Sequence, residues 1–230
     1  MKSVLRALGS AEIAEHSAGF FKSGKGEYGE GDRFLGIRVP MIRKQVTGFR
    51  DAPLRSVLAL LRSQFHEERL LAVLLLVEKY RRGDAGTKQR VFDSYLSHRS
   101  FVNNWDLVDS SAHLIVGPQL QEDGDRRLLC ELAGSESLWD RRIAMMATFH
   151  YIRNKDFTDA LQIAELLLND EHDLIHKSVG WMLREIGKRD RAVEERFLER
   201  HYHSMPRTML RYAIEKFPAA RRKAYLHGKI

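Results

Sequence analysis

Cysteine occurs once in the 230 residues, at Cys130. No disulfide can form within the chain, so burial has to hold it together, and 230 residues suffice for a real core. A reducing compartment, the cytoplasm, is the expected location. Prolines number only five and no long polar linker interrupts the chain, so one domain spanning 1–230 is expected. The longest aliphatic run, LLAVLLLV at 70–77, is far too short to cross a bilayer. The opening residues, MKSVLRALGSAEIAEHS, lack the apolar core and cleavage site of a signal peptide, and no membrane partner is expected. Strand signals are nearly missing: no stretch alternates apolar and polar residues with β-branched enrichment.

What is present is helical. RLLAVLLLVEKY, RRIAMMATFHYI, DALQIAELLL, KSVGWMLREIG and RTMLRYAIEKF all carry apolar residues three and four apart. Short segments rich in Gly, Asp, Asn and Ser separate them: RRGDAG, GPQLQEDGD, AGSES, RNKD, NDEHD and HSMP. The chain is all-α on this reading.

The helices also repeat. Aligned on a central small residue, the densest ones register at Ala72, Ser110, Ala144, Gly180 and Ala213, at intervals of 38, 34, 36 and 33 residues. That spacing is one helical hairpin, and a recurring hairpin predicts a curved α-solenoid of HEAT-like antiparallel helix pairs. An irregular bundle is the alternative. In this register the preceding position is Leu71, Ile143, Val179 and Tyr212 in four helices, and Asp109 in the fifth, within NNWDLVDSS. An anion in an apolar line is costly unless compensated, and such a cost is tolerated where the charge is used. The plainer reading is an acid capping or flanking a helix start.

Lys and Arg total 38 against 31 Asp and Glu, a net charge of +7. Either the protein is mildly basic with no polyanionic partner, or its partner is nucleic acid. GFFKSGKGEYGEGD (19–32) nearly spells a phosphate loop, but Gly26 stands where Ser or Thr would hold magnesium, and the residues before it read as helix. A nucleotide-triphosphate site is therefore rejected in favour of a loop whose Lys22 and Lys25 touch phosphate. Next, Pro40 suits a first helical turn, which places Arg38, Arg43 and Lys44 near that helix start. His172 and His176 are four apart, with no H-E-x-x-H order and no third ligand, so no metal site is expected. Cys130 reads as an ordinary buried cysteine. No serine-nucleophile motif occurs. Trp105, Trp139 and Trp181 fall one per repeat. Trp105 is i,i+4 from Asp109; Trp139 precedes Arg142 by three and Trp181 precedes Arg184 by three. Each indole is ordinary core, or they converge with the arginines on one basic concave groove.

At these residues the chain resembles the AlkD-type DNA glycosylases, the HEAT-like DNA alkylation repair proteins. The resemblance runs from about Phe20 to about Phe217. It is carried by FFKSGKGEYGEGDRFLGIRVP, NNWDLVDSS, LWDRRIAM, KSVGWMLREIGK and MPRTMLRYAIEKF. It implies an enzyme that hydrolyses the N-glycosidic bond of cationic N3- or N7-alkylated purines. The substrate is duplex DNA bound in a basic concave face, with no extrusion of the base into a pocket. It further implies Asp109 as the catalytic acid, Trp105 and Trp181 as active-site aromatics, and Arg142 as the phosphate-binding arginine, with Arg141 as its neighbouring substitute. An aromatic from the glycine-rich region falls on Phe20 or Phe21. Arg38 stands where some members carry a polar uncharged residue.

The chemistry suits these residues. A cationic alkylpurine is already a good leaving group, so no strong general acid is needed, and neither cofactor nor metal is expected. Cleavage builds an oxocarbenium ion, which a fixed carboxylate can stabilise while orienting water. Indole faces favour cations, and an arginine can hold the lesion's phosphate. A monomer on double-stranded DNA is the expected form. The alternative is a non-catalytic HEAT-like solenoid that binds damaged or distorted DNA.

Overall fold

A computed structural model describes residues 1–230. It is all-helical, with one isolated parallel bridge, Arg33 to Phe65, as the nearest thing to a strand. The chain divides into two compact units, Met1–Ile115 and Val116–Ile230.

The first unit holds α1 (Lys2–Arg6), α2 (Ala11–Phe20), α3 (Val39–Phe49), α4 (Leu54–Leu61), α5 (His66–Arg82), α6 (Ala85–Ser97) and α7 (Trp105–Asp109). Helix α5 is its centre: α1, α3, α4, α6 and α7 all pack against it. The run that is too short for a bilayer explains why. Leu70 to Leu76 are all buried, so α5 is apolar on every side and needs neighbours on every side. Helix α8 spans Ala112–Asp123.

The second unit continues with α9 (Arg127–Ala133), α10 (Leu138–Ala147), α11 (Phe149–Arg153), α12 (Thr158–Leu166), α13 (Asp173–Gly187), α14 (Arg191–His201), α15 (Arg207–Ala213) and α16 (Ala219–Leu226). Two rows form within it: α10 packs on α13 and α13 on α15, while α9 packs on α12. Across the rows, α9 meets α10 and α12 meets α13. This is the stacking of HEAT-like helix pairs.

Four of the five register residues sit in helices where such stacking demands small side chains; the fifth, Ser110, is the half-buried C-cap of α7. A Cβ on Gly180 of α13 would lie 2.4 Å from the Met209 carbonyl and 2.6 Å from Cβ of Tyr212, so α13 and α15 touch backbone to backbone there. Ala72, Ala144 and Ala213 are fully buried. Leu71, Ile143 and Val179 are buried as the register expects, but Tyr212 is 36% exposed. Two boundaries also differ. GPQLQED reads as a break yet belongs to α8, with Pro118 inside the helix. Gly117 marks close approach there, since a Cβ would meet the Ala147 carbonyl at 2.5 Å. RRIAMMATFHYI reads as one helix yet divides at Thr148, whose hydroxyl bonds back to the Met145 carbonyl at 2.7 Å and bends the chain.

Candidate active site

Helix α7 is the five residues WDLVD, with Trp105 at its start and Asp109 at its end. Its N-cap is Asn104, whose side chain accepts from the Trp105 N–H at 2.8 Å. The start of α7 is therefore capped by Asn104 and not by Asp109. Leu107 and Val108 are fully buried and anchor the turn, while Trp105 and Asp109 are half-buried on the helix flank.

Trp105 does not stand alone. Phe21 stacks on it at 5.3 Å between centroids, and Phe20 meets it edge-on at 5.8 Å. Both phenylalanines of the alternative that the sequence leaves open therefore reach the indole. Phe20 is 58% exposed, unusual for a residue of its size. These rings, with Ile13, Ile37 and Val39, line a cavity of about 720 Å³ that Glu12, His16, Arg38 and Asp106 also border.

Beneath the rings lies a buried charge network that sequence reasoning did not identify. His66, at the start of α5, is 2% exposed. Its Nε2 is 2.8 Å from Oδ2 of Asp106 and its Nδ1 is 3.4 Å from Oδ2 of Asp32. Asp32 Oδ1 accepts from Arg69 Nη2 at 2.7 Å. The rings of Phe21 and Phe34 lie at 4.5 and 5.2 Å from the imidazole. Burial alone would lower the His66 pKa, but the hydrogen bond and charge of Asp106, then Asp32, push it up to about 9. Burial alone would raise Asp32, but His66 and Arg69 hold its carboxyl below the ordinary value. His66 is thus an imidazolium donating to two carboxylates. The signal in the sequence was HEER, four polar residues directly ahead of an aliphatic run; all four are buried. The partners of His66, Asp32 and Asp106, lie 34 and 40 positions away in sequence, beyond any local pattern.

Glu67 does a related job. Its carboxylate accepts from the N–H groups of Leu35 and Gly36 at 2.8 Å and of Ile37 at 3.2 Å, which orders the turn into α3. Gly36 has φ +77°, and a Cβ there would fall 1.9 Å from the Ser10 carbonyl, so only glycine fits. Arg38 is the exposed N-cap of α3 and borders the cavity; Arg43 and Lys44 are exposed on the next turn.

The glycine-rich loop is not a phosphate loop. The Gly24 and Gly26 N–H groups are taken by Glu27 and Glu30 of the loop itself, at 2.9 and 2.8 Å. Lys22 and Lys25 are exposed, and Lys22 lies 3.8 Å from Glu27.

In the second unit, Trp181 of α13 is half-buried, with its indole N–H 3.3 Å from Glu185 and its ring 6.2 Å from Phe149. Arg142 of α10 is 4% exposed and donates to the Leu174 carbonyl. Arg141 is bonded to Asp170 at 2.6 Å and to the carbonyls of Ser135 and Glu136. Arg184 is paired with Glu215. His172 caps α13, accepting from the Leu174 N–H at 3.1 Å, and His176 bonds the Asp170 carbonyl. Both histidines of that pair are thus used in shaping the turn into α13.

Stacked helix pairs, with an aromatic wall over a buried network of paired charges, define an all-helical repeat protein with a recessed polar site. The family follows from comparison. The family model described as DNA alkylation repair enzyme matches residues 1–217, and the chain belongs to that family. Among solved structures, the fold is similar to one titled a predicted DNA alkylation repair enzyme from Enterococcus faecalis. That chain is 17% identical, with a TM-score of 0.72 over 92% of this chain and 97% of its own length. No curated protein matches at a significant level. No helix is long and apolar enough to cross a membrane.

Proposed function

We propose that this DNA alkylation repair family member is a glycosylase. It hydrolyses the N-glycosidic bond of cationic N3- and N7-alkylated purines in double-stranded DNA, acting as a cytoplasmic monomer. The observation that carries the reading is the pairing of Trp105 and Asp109 on one short helix, beside an aromatic wall that nothing in the unit buries completely. Such a wall suits a sugar or a flat cation, and an acid beside it suits the charge of an oxocarbenium ion.

The steps are simple. The bond between deoxyribose C1′ and N9 of the alkylated purine breaks, and its electron pair neutralises the purine cation. Positive charge passes to the sugar, where the Asp109 carboxylate stabilises it. Water then attacks C1′, oriented by the same carboxylate, which takes the water's proton as the bond forms. The purine needs no protonation and no pocket of its own. Trp105 packs on the sugar. In the second unit, Trp181 offers a similar ring face, and Arg142 or the adjacent Arg141 would offer phosphate a guanidinium by exchanging the Leu174 carbonyl or the Asp170 contact it now makes. Arg38, Lys22, Lys25, Arg43, Lys44 and Arg184 are proposed as further contacts to the DNA backbone.

The test is release of free base from a duplex carrying one N7-methylguanine, against the same duplex with guanine. Free N7-methylguanine with a matching abasic site is the expected result. Tight, salt-dependent binding without base release would instead favour a damage-binding solenoid.

A further inference from the structure

The mechanism leaves His66 unused, yet His66 joins the parts of the first unit that the mechanism needs. Helix α7 has only five residues, far below the length at which a helix holds itself together. The glycine-rich stretch between Phe21 and Asp32 holds its turns with Glu27 on Gly24, Glu30 on Gly26 and Ser23 on the Ala18 carbonyl. Both are tied to one imidazole. Nε2 holds Asp106, the second residue of α7, one position after Trp105. Nδ1 holds Asp32, where the loop ends, and the ring face carries Phe21, where the loop begins. Phe21 in turn stacks on Trp105. We infer that His66 is the positioning residue of this site, setting the placement of Trp105, Asp109 and the glycine-rich loop through its two ring nitrogens and one ring face.

The surroundings allow it no other occupation. The groups that face it are Asp32 from the loop, Asp106 from α7, Arg69 one turn along α5, and the rings of Phe21 and Phe34. Its charged neighbours on α5 are engaged elsewhere, Glu67 on the amides of 35–37 and Glu68 on Arg6, Lys2 and Ser63. Only a side chain with two opposed donors spans Asp32 and Asp106 together. A neutral imidazole has one N–H and must release one of them. Gln has two N–H donors, but both sit on one nitrogen and do not reproduce the two separate ring nitrogens that hold Asp32 and Asp106.

The role in excision rests on the glycosylase reading; the placement of Trp105 does not. The experiment uses the full chain labelled with 5-fluorotryptophan, the Trp105 resonance being assigned by its loss in Trp105→Phe. In the unsubstituted chain the Trp105 ¹⁹F resonance titrates near pH 9, where His66 loses its second proton. In His66→Gln, and in the near-isosteric Asp106→Asn, it is shifted and no longer titrates, while the Trp139 resonance stays in place. Excision of N7-methylguanine by His66→Gln at saturating enzyme slows on the order of tenfold, the scale of one lost charge-assisted hydrogen bond. Affinity for the lesion duplex stays within about threefold, a small fraction of one such bond.

A Trp105 resonance indifferent both to pH and to these substitutions overturns the inference. So does unchanged excision by His66→Gln. The titration of the unsubstituted chain needs no variant to fold. A chain that releases no base, but whose Trp105 resonance behaves as described, removes the glycosylase reading and leaves the positioning of Trp105 by His66 in place.

Discussion

Phe21 lies over Trp105 with ring centroids 5.3 Å apart and planes inclined by 25°. The two residues are 84 positions apart in sequence, so the contact closes the N-terminal segment onto the site helix. Phe21→Ala is expected to remove this stack and the packing on His66 together. For a half-buried phenylalanine the cost is about 2 kcal/mol of stability, below the range for a fully buried one. Denaturant unfolding of the full chain, read by tryptophan fluorescence, checks it. A loss below about 0.5 kcal/mol, the range of an ordinary surface substitution, would show that the stack contributes little.

The pH dependence of stability has a defined sign. His66 titrates near 9 when folded, against 6.5 when unfolded. A raised value means that its stabilisation is fully present below 6.5 and is lost as pH rises through about 9. Unfolding curves taken between those limits are expected to show falling stability, and His66→Gln to reduce the slope. A slope unchanged by the substitution would mean that other groups carry it.

A second buried acid contributes with the same sign, in the other unit. Glu194 of α14 is buried over Gly187, and burial pushes its carboxyl up to about 8 from 4.5. The folded state keeps a proton there that the unfolded state gives up, so stability falls as pH rises from 4.5 to 8. Glu194→Gln preserves the shape of the neutral acid and should stabilise the protein at pH 8, by about 1–3 kcal/mol on the scale of a buried unpaired charge. The gain should vanish near pH 4. Thermal melts of both chains at the two pH values test it, and equal melting at pH 8 would count against a neutral buried Glu194.

Arg38 is exposed at the mouth of the cavity, and Arg43 and Lys44 follow on the next turn of α3. If these cations meet DNA phosphates, each removal should lower the slope of log affinity against log salt by about 0.9. Arg38→Ala and Lys44→Ala are therefore expected to weaken binding of damaged and undamaged duplexes alike. A slope identical to that of the unsubstituted chain would place the DNA elsewhere.

The repeat was legible because small residues are forced wherever two helices touch backbone to backbone, as Gly180 does against Met209 and Tyr212. Helix content was legible from apolar spacing, and α5 from its aliphatic run. The exposed Tyr212 shows the limit: its Cβ lies against Gly180, yet the residue is 36% exposed. Gly117 and Pro118 misled because glycine reads as a break whether it ends a helix or allows close packing. Within the candidate site, Trp105 and Asp109 were visible through i,i+4 spacing in a single segment. Asp32, His66 and Asp106 were not, because each is ordinary in its own segment and gains meaning only when the fold brings the three together. Arg142 shows the converse: a residue type that suits phosphate binding is almost fully buried and donates to a backbone carbonyl.

The central claim is that Asp109 supplies the negative charge for glycosidic cleavage. The most direct test is single-turnover release of N7-methylguanine from duplex DNA by the unsubstituted chain and by Asp109→Asn, with binding of the same duplex measured in parallel. The account predicts a rate at least about a hundredfold lower for Asp109→Asn, the scale of one lost transition-state charge interaction, with binding nearly intact. Equal rates from the two proteins would contradict it and take Asp109 out of the mechanism.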